Sequence, residues 1–274
     1  MLKQRIITAI ILGSLIVFTI FKLPYIYIVI FFAAVTLLGA WEWSTLIGAK
    51  TLLMKCLYVA LIGLMIAAVW FYASPMLEKT ILLVASLWWA GVVCFLSLYR
   101  TSWLQSKHLQ KMLAYSGIIV LVPAWLGLIK LHHAGPEMLM FFLALIWIAD
   151  IAAYFSGKRY GKNKLAPELS PGKSREGVLG ALLASIILAL IGIPLLAINA
   201  HVWPYFVILC VLTAAISVVG DLYESLLKRK AGVKDSGTIL PGHGGILDRI
   251  DSITAAAPGY VLGLSWLCVS CFKV

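Results

Sequence analysis

The sequence predicts an all-α fold, a polytopic integral membrane protein with about nine transmembrane helices, an N-terminus in the cytoplasm and a C-terminus outside. Three observations predict it: the composition, the lengths of the apolar runs and the positions of the basic residues. Of the 274 residues, 62% are hydrophobic and 12% are charged, whereas a soluble domain has about 45–50% and about 25%. The excess of apolar side chains has to face lipid, which excludes a soluble globular protein.

About nine apolar runs are long enough to cross the hydrocarbon as helices. They cover residues 6–21, 24–41, 53–74, 80–99, 113–130, 137–157, 177–199, 203–227 and 254–272. Lys22, Leu23 and Pro24 separate the first two runs, which form either a tight hairpin or one kinked, partly interfacial element. Lys3 and Arg5 precede the first run, but no small-residue cleavage site follows it, so we expect an uncleaved anchor.

The basic residues are distributed unevenly between the two sides of the membrane. With a cytoplasmic N-terminus, all Lys and Arg residues except Lys22, Lys79, Lys130 and Lys273 lie on the cytoplasmic side, as the positive-inside rule requires. The net charge of +11 therefore indicates topology, and we expect no nucleic-acid partner.

Two long loops, 158–176 and 228–253, lie on the cytoplasmic side in this arrangement. They divide the chain into residues 1–130, expected to provide lipid-facing, dimer and acyl-chain surfaces, and residues 131–274, expected to form the catalytic region. Of the 11 acidic residues, all except Glu42, Glu78 and Glu137 lie between residues 150 and 251. The second region is therefore predicted to hold the site.

The eighth span carries a polar stripe. Its members, at offsets of 4, 7, 8 and 11 from the first, share one face of a helix. They are Ser217, Asp221, Glu224, Ser225 and Lys228. Acids next to an apolar span need a partner or a cation. The alternative for Asp221 is a carboxylate at headgroup level or paired with Lys228.

The segment 234–251 combines tight turns with carboxylates. Its glycines and proline let the backbone turn sharply and approach an anion, while Asp235, Asp248 and Asp251 supply the hard oxygen ligands that Mg²⁺ prefers. His243 is either a donor to phosphate or a turn residue. The segment therefore predicts a site for phosphate and metal.

The loop 158–176 is basic, and glycine, lysine and serine follow one another near its end. Gly172-Lys173-Ser174 looks like the end of a P-loop, but Pro167 stands where the upstream glycine should be, so the segment is not a Walker motif. Ser174 is expected to cap the seventh span, whose free N–H groups suit a phosphate. The alternative is a basic patch on anionic lipid headgroups.

Asp150 and Tyr154 lie four residues apart at the end of the sixth span, and therefore on one face. They form either a polar pair in the core or part of the site.

Residues 225–251 resemble the signature of the phosphatidate cytidylyltransferases, also called CDP-diacylglycerol synthases. The resemblance rests on Ser225, Lys228-Arg229, Lys234-Asp235-x-Gly237, Pro241-x-His243-Gly244-Gly245 and Asp248-Arg249-x-Asp251. Residues 150–177 are similar to a second motif of that family, with Lys173-Ser174-Arg175-Glu176-Gly177 in place of the usual Lys-Thr-x-Glu-Gly. Residues 1–130 match only as hydrophobic spans.

The resemblance implies transfer of a cytidylyl group from CTP to phosphatidic acid, giving CDP-diacylglycerol and pyrophosphate, with Mg²⁺ required. It implies Asp221 and Asp248 as metal ligands and leaves open a second metal or a monovalent cation. The implied catalytic residues are Asp221, Asp248, Lys228, Arg249, Asp251 and His243. The implied substrate-binding residues are Lys173, Ser174, Arg175, Ser225, Arg229, Lys234, Gly244 and Gly245.

Physical chemistry agrees with this reaction. A lipid phosphate and a nucleoside triphosphate repel each other unless metal and basic side chains neutralise them. We expect a bacterial inner-membrane protein with a cytoplasmic active site. Its expected partners are CTP, phosphatidic acid, membrane lipids and a second copy in a homodimer.

Other kinds of protein fit parts of the pattern. A transporter would place its carboxylates near the midplane between repeats, whereas these acids gather at the cytoplasmic ends and no repeat is visible. A non-catalytic lipid-binding scaffold would need the basic residues but not Asp221, Asp248 and Asp251. Within the enzyme class, the alternative is a cytidylyltransferase for another lipid phosphate, such as an isoprenoid ether lipid.

Overall fold

The structure, a computed structural model of the chain, describes the backbone of residues 2–239 and 244–267, and the side chains of these ranges except 2–10, 12 and 267. The described residues form nine α-helices. These are α1 (Leu2–Lys22), α2 (Tyr25–Leu46), α3 (Leu52–Tyr72), α4 (Pro75–Ser97), α5 (Lys107–Ala134), α6 (Pro136–Tyr160), α7 (Arg175–Leu195), α8 (Trp203–Ala231) and α9 (Leu247–Leu267). Two short 3-10 helices span Thr101–Gln105 and Ala200–Val202.

Seven of these helices, α2 to α8, are long and apolar enough to cross a membrane within the described ranges. The predicted multi-pass membrane fold is confirmed at this level. In α1 the apolar stretch is shorter, Gly13–Lys22, and the predicted ninth span continues into residues 268–272, outside the described residues. The first two apolar runs are separate helices, because α1 ends at Lys22 and Pro24 precedes the first residue of α2.

A small antiparallel sheet makes the all-α prediction too simple. Strands β1 (Lys164–Ala166) and β2 (Ser170–Ser174) pair Lys164 with Ser174 and Ala166 with Ser170. At the open end of this hairpin, the side-chain amide of Asn163 donates to the carboxylate of Glu176 at 2.8 Å. The hairpin therefore occupies most of the predicted loop 158–176.

Several helices extend beyond their apolar runs, because backbone hydrogen bonding does not require apolar side chains. Helix α2 continues to Leu46, so Glu42 lies within it and not after it. Helix α8 continues to Ala231 and ends at Gly232, whose φ of 72° suits glycine. Both corrections place charged residues on helices where the sequence predicted loop.

Helix α5 forms the centre of the bundle. It packs against α2, α4, α6 and α9. In its most apolar stretch 72% is buried inside the bundle, compared with 17% in the corresponding stretch of α3. Helix α7 instead exposes Leu179, Leu183 and Ile187, four residues apart along one face. Such an apolar face is the surface expected next to lipid.

Tyr223 fixes α8 to its neighbours. Its side chain is 1% exposed and its hydroxyl donates to Ser116 Oγ of α5 at 2.7 Å. The ring packs against Trp43, Trp88 and Trp89. At 100° per residue, Tyr223 lies on the other side of α8 from the polar stripe. The aromatic contacts therefore set the direction in which the stripe faces.

Candidate active site

Five acids of α6, α8 and α9 lie together beside the start of α9. Asp150 is on α6, Asp221 and Glu224 are on α8, and Asp248 and Asp251 are on the first turns of α9. Asp221 interacts electrostatically with Asp150 and Asp251, and Glu224 interacts with Asp248 and Asp251. We call these five residues the carboxylate cluster.

Two lysines neutralise part of this charge. Lys173 Nζ lies 2.7 Å from Asp221 Oδ2. Lys228 Nζ lies 2.7 Å from Asp248 Oδ1 and 3.0 Å from Glu224 Oε2. The Glu224 side chain is 3% exposed, so salt screens this ion pair only weakly. The alternative that pairs Asp221 with Lys228 is wrong, because the partner of Asp221 is Lys173.

The predicted polar stripe on α8 is confirmed. Ser225 Oγ donates to Asp221 Oδ1 at 3.4 Å, and Lys228 contacts Glu224, both at a spacing of four residues. Ser217 is buried and donates to a carbonyl of its own helix. One face of α8 therefore supplies Asp221 and Glu224 to the cluster and places Lys228 beside them.

Asp248 is held by donors on both of its oxygens. Oδ2 accepts from the backbone N–H groups of Ser236 at 2.9 Å and Gly245 at 2.8 Å, and Oδ1 contacts Lys228. Burial raises the pKa of Asp248, but these donors outweigh burial and hold the pKa below its usual range. Asp248 precedes the apolar part of α9 and is a fixed negative charge at neutral pH.

A sixth carboxylate, Glu42 of α2, contacts the same segment. It accepts from Ser236 Oγ at 2.9 Å and from the N–H groups of Ile246 at 3.0 Å and Leu247 at 2.8 Å. Its side chain is only 2% exposed. Glu42 was not predicted as a site residue from the sequence. Its signal was that it is the first acid in the chain and follows the apolar run 24–41 directly, between Trp41 and Trp43.

A cavity of about 510 Å³ borders the cluster. Apolar residues of α1, α2, α5 and α6 form most of its wall, among them Ile16, Phe32, Val35, Leu121 and Trp147. Its polar end is formed by Asp150, Asp248, Arg249 and Asp251. The cavity therefore combines apolar walls with a charged end, as an amphiphilic ligand requires.

Asp150 and Tyr154 do not form a pair in the core. The side chain of Tyr154 is 61% exposed, whereas Asp150 borders the cavity. Of the two alternatives for these residues, the core pair is wrong.

Ser174 caps α7 as predicted. Its hydroxyl accepts from the N–H of Gly177 at 3.1 Å, and the side chain is buried. The hydroxyl keeps its hydrogen and a second lone pair for other partners, so a contact of Ser174 with substrate stays a prediction. Arg175, the next residue, is exposed.

Three other predicted substrate-binding residues lie at the end of α8 and on the segment between α8 and α9. Arg229 is exposed and its Nε donates to the carbonyl of Leu169 at 3.1 Å, and Lys234 is exposed on the segment after α8. Gly244 has a φ of 79°, a conformation that favours glycine. His243 lies outside the described residues.

The donor set of the cluster suits Mg²⁺, which prefers carboxylate oxygen. Glu224 Oε1 is buried and has no hydrogen-bond partner among the described residues. The described part of the chain nevertheless contains no group of three or more His, Cys, Asp or Glu residues placed to hold a metal, and Asp221 and Asp248 each contact a lysine.

Comparison with known proteins gives consistent matches. The chain matches the cytidylyltransferase family over residues 3–267. It is 40% identical over 285 residues to the phosphatidate cytidylyltransferase of Pseudomonas aeruginosa, covering 97% of each chain. It is 39% identical over 279 residues to that of Haemophilus influenzae, covering 94% of this chain and 96% of the relative. The enzyme of Staphylococcus saprophyticus is 37% identical over 163 residues, 60% of each chain.

Proposed function

The chain belongs to the cytidylyltransferase family, and from this membership we infer its reaction. It is a nucleotidyltransferase that transfers the cytidylyl group of CTP to phosphatidic acid, giving CDP-diacylglycerol and pyrophosphate in phospholipid biosynthesis. The observation that carries this conclusion is the 40% identity to a phosphatidate cytidylyltransferase over 97% of both chains.

The geometry of the site supports this assignment. Phosphatidic acid has a charged phosphate and two apolar chains, and the cavity has a charged end and apolar walls. Lys173 and Lys228 contact acids of the carboxylate cluster, and Arg249 lies at the polar end of the cavity. These cations can lower the repulsion between the two anionic substrates.

The reaction needs positioning more than proton transfer. A phosphate oxygen of phosphatidic acid attacks the α-phosphorus of CTP, a new phosphorus–oxygen bond forms, and the bond to the oxygen that bridges to the β-phosphate breaks. Pyrophosphate leaves with that oxygen. Because the attacking oxygen is already ionised at neutral pH, no strong general base is needed, and the task of Lys173, Lys228 and Arg249 is to hold the phosphates in line.

We propose Mg²⁺ as the cofactor, held by Asp221 and Asp248. A bound divalent cation neutralises phosphate charge during phosphoryl transfer. Lys173 and Lys228 already contact these two carboxylates and can turn to the substrate phosphates when the carboxylates bind the cation. The alternative to a single Mg²⁺ is a site that also holds a second metal or a monovalent cation.

We further propose nine spans, a cytoplasmic N-terminus and a cytoplasmic active site in a bacterial inner membrane. The seven apolar helices and the bacterial relatives support a multi-pass membrane protein, and the positions of the basic residues support the orientation. A homodimer, with contacts from residues 1–130, is also proposed.

Pyrophosphate release by the detergent-purified protein tests the reaction. We expect release only when CTP, phosphatidic acid and Mg²⁺ are all present. Diacylglycerol in place of phosphatidic acid, ATP in place of CTP, and EDTA serve as controls. Release with ATP, or without a lipid phosphate, would contradict the assignment. Release with an isoprenoid ether lipid phosphate but not with phosphatidic acid would identify the alternative acceptor.

A narrower cavity should discriminate between acceptor lipids. Val35 borders the cavity, and Val35→Trp places an indole in the space proposed for an acyl chain. We expect the KM for long-chain phosphatidic acid to rise about tenfold, in line with overpacking costs of about 1–3 kcal/mol. The KM for CTP should not change.

Val84→Trp is the matched control, because Val84 is 50% exposed on α4 and does not border the cavity. A short-chain phosphatidic acid should be accepted equally by the wild type and by Val35→Trp. An unchanged KM for the long-chain lipid in Val35→Trp would show that the acceptor binds elsewhere.

A further inference from the structure

Glu42 joins two segments that are separated in sequence but adjacent at the site. Ser236 lies after α8, and Ile246 and Leu247 lie at the start of α9. The carboxylate of Glu42 accepts a hydrogen bond from each of these three residues at 2.8 to 3.0 Å. A residue of α2 therefore holds the end of one segment against the beginning of the next.

Asp248 makes a parallel set of contacts. Its Oδ2 accepts from the N–H groups of Ser236 and Gly245, and it also lies 3.0 Å from Ser236 Oγ. The single hydroxyl hydrogen of Ser236 can be donated to only one carboxylate at a time. Two carboxylates, Glu42 and Asp248, thus hold the same two segments together.

Glycines make this close approach possible. A Cβ atom at Gly237 would lie 2.9 Å from Cδ of Glu42, and one at Gly245 would collide with Glu42 and with Ser236 Oγ. Both glycines belong to the signature segment. Their absence of a side chain allows the backbone to surround a carboxylate that is 2% exposed.

We propose that Glu42 is a positioning residue that keeps Ser236 beside the start of α9 while Asp248 turns to its ligand. This inference rests on the proposed function, in which Asp248 binds a cation or contacts the substrate phosphates. When Asp248 exchanges its backbone donors for a ligand, the contacts of Glu42 remain. Arg249 and Asp251 on the first turns of α9 then keep their places at the end of the cavity.

The Glu42→Gln variant tests this role. An amide can accept at one position, but its NH₂ group would face a backbone N–H or the Ser236 hydroxyl, so at least one contact is lost. We expect kcat to fall about 10- to 100-fold, the loss typical of hydrogen bonds to a charged group. We expect amide hydrogen exchange to accelerate at Ile246 and Leu247, whose N–H groups donate to Glu42, and not in helices away from this contact.

Two further variants separate positioning from overall stability. Glu42→Asp keeps the charge on a shorter side chain and should restore part of kcat. Ser236→Ala removes one of the three donors to Glu42 and should show a smaller loss with the same local pattern of exchange. If Glu42→Gln does not fold, the Ser236→Ala and Glu42→Asp variants still test the proposal.

Glu78→Gln is the matched control. Glu78 is partly buried and pairs with Lys130 of α5 at 2.5 Å. Ser116 is the residue of α5 that contacts Tyr223 of α8. Lys130 lies 14 residues further along α5, which corresponds to about 21 Å of helix. The kcat of Glu78→Gln and its exchange at residues 246 and 247 should equal those of the wild type.

The exchange measurement needs no substrate, so it tests Glu42 independently of the reaction. Wild-type exchange and kcat in Glu42→Gln would overturn the proposal. Accelerated exchange spread over all helices, with a lowered thermal midpoint, would also overturn it, because the role would then be merely structural. A wild type that releases no pyrophosphate would contradict the proposed function and leave the exchange result intact.

Discussion

Replacement of Asp248 by asparagine is expected to abolish pyrophosphate release while the protein still inserts and folds. Both oxygens of Asp248 face donors: Oδ1 contacts Lys228, and Oδ2 accepts from the N–H groups of Ser236 and Gly245. An asparagine must turn its NH₂ group toward one of these donors. It also lacks the negative charge that a cation needs. We expect turnover to fall at least about 100- to 1000-fold, the range for loss of a single electrostatic contact to a transition state.

Asp235→Asn is the control for this prediction. The sequence also predicted Asp235 as an oxygen donor for Mg²⁺, but its side chain is exposed and it is not one of the five acids of the carboxylate cluster. Turnover and thermal midpoint are measured for both variants in the same detergent. Near-normal turnover in Asp248→Asn would refute its assigned role. A loss of equal size in Asp235→Asn would mean that the segment, and not the Asp248 carboxylate, is what matters.

Replacement of Lys228 by methionine is expected to have the largest effect on stability. Its ammonium group contacts Glu224 and Asp248 in a site where the Lys228 side chain is 14% exposed. Removal leaves both carboxylates without this cation, and breaking a buried ion pair costs about 3–5 kcal/mol. The thermal midpoint should fall clearly, and turnover should fall with it because the phosphates lose a partner.

The double variant Glu224→Gln with Lys228→Met separates the two effects. Removing the charge of Glu224 takes away most of the repulsion that the single variant creates, so the thermal midpoint should recover in part. Turnover should stay low, because no cation has been restored near Asp248. Recovery of turnover together with stability would show that Lys228 acts only through folding.

Much of the fold follows from short-range patterns in the sequence. The helices were predicted from apolar runs, and the contacts of Ser225 and Lys228 along α8 followed from the spacing of four residues. These predictions succeed because helix geometry links neighbours in sequence to neighbours in space.

The missed features depend on long-range or marginal contacts. Glu42 contacts Ser236 and Leu247 across about 200 residues of chain, and helical periodicity carries no information over that distance. The hairpin of β1 and β2 has strands of only three and five residues. Such strands are too short to show the alternation of apolar and polar residues by which a strand is predicted. The pairing of Asp221 with Lys173 depends on that hairpin, so it was missed as well.

The anchoring of Tyr223 has a consequence for the time course of ligand binding. Because its hydroxyl and ring hold α8 against α5 and three tryptophans, rotation of α8 would break a buried hydrogen bond and a packed aromatic contact. Lys173 lies on β2 and can leave Asp221 without any rotation of α8. Exposed side chains turn in picoseconds to nanoseconds, whereas packed helices move in microseconds to milliseconds. The Lys173–Asp221 pair, with side chains 23% and 34% exposed, is therefore expected to exchange for a phosphate contact sooner than the more buried pairs of Lys228.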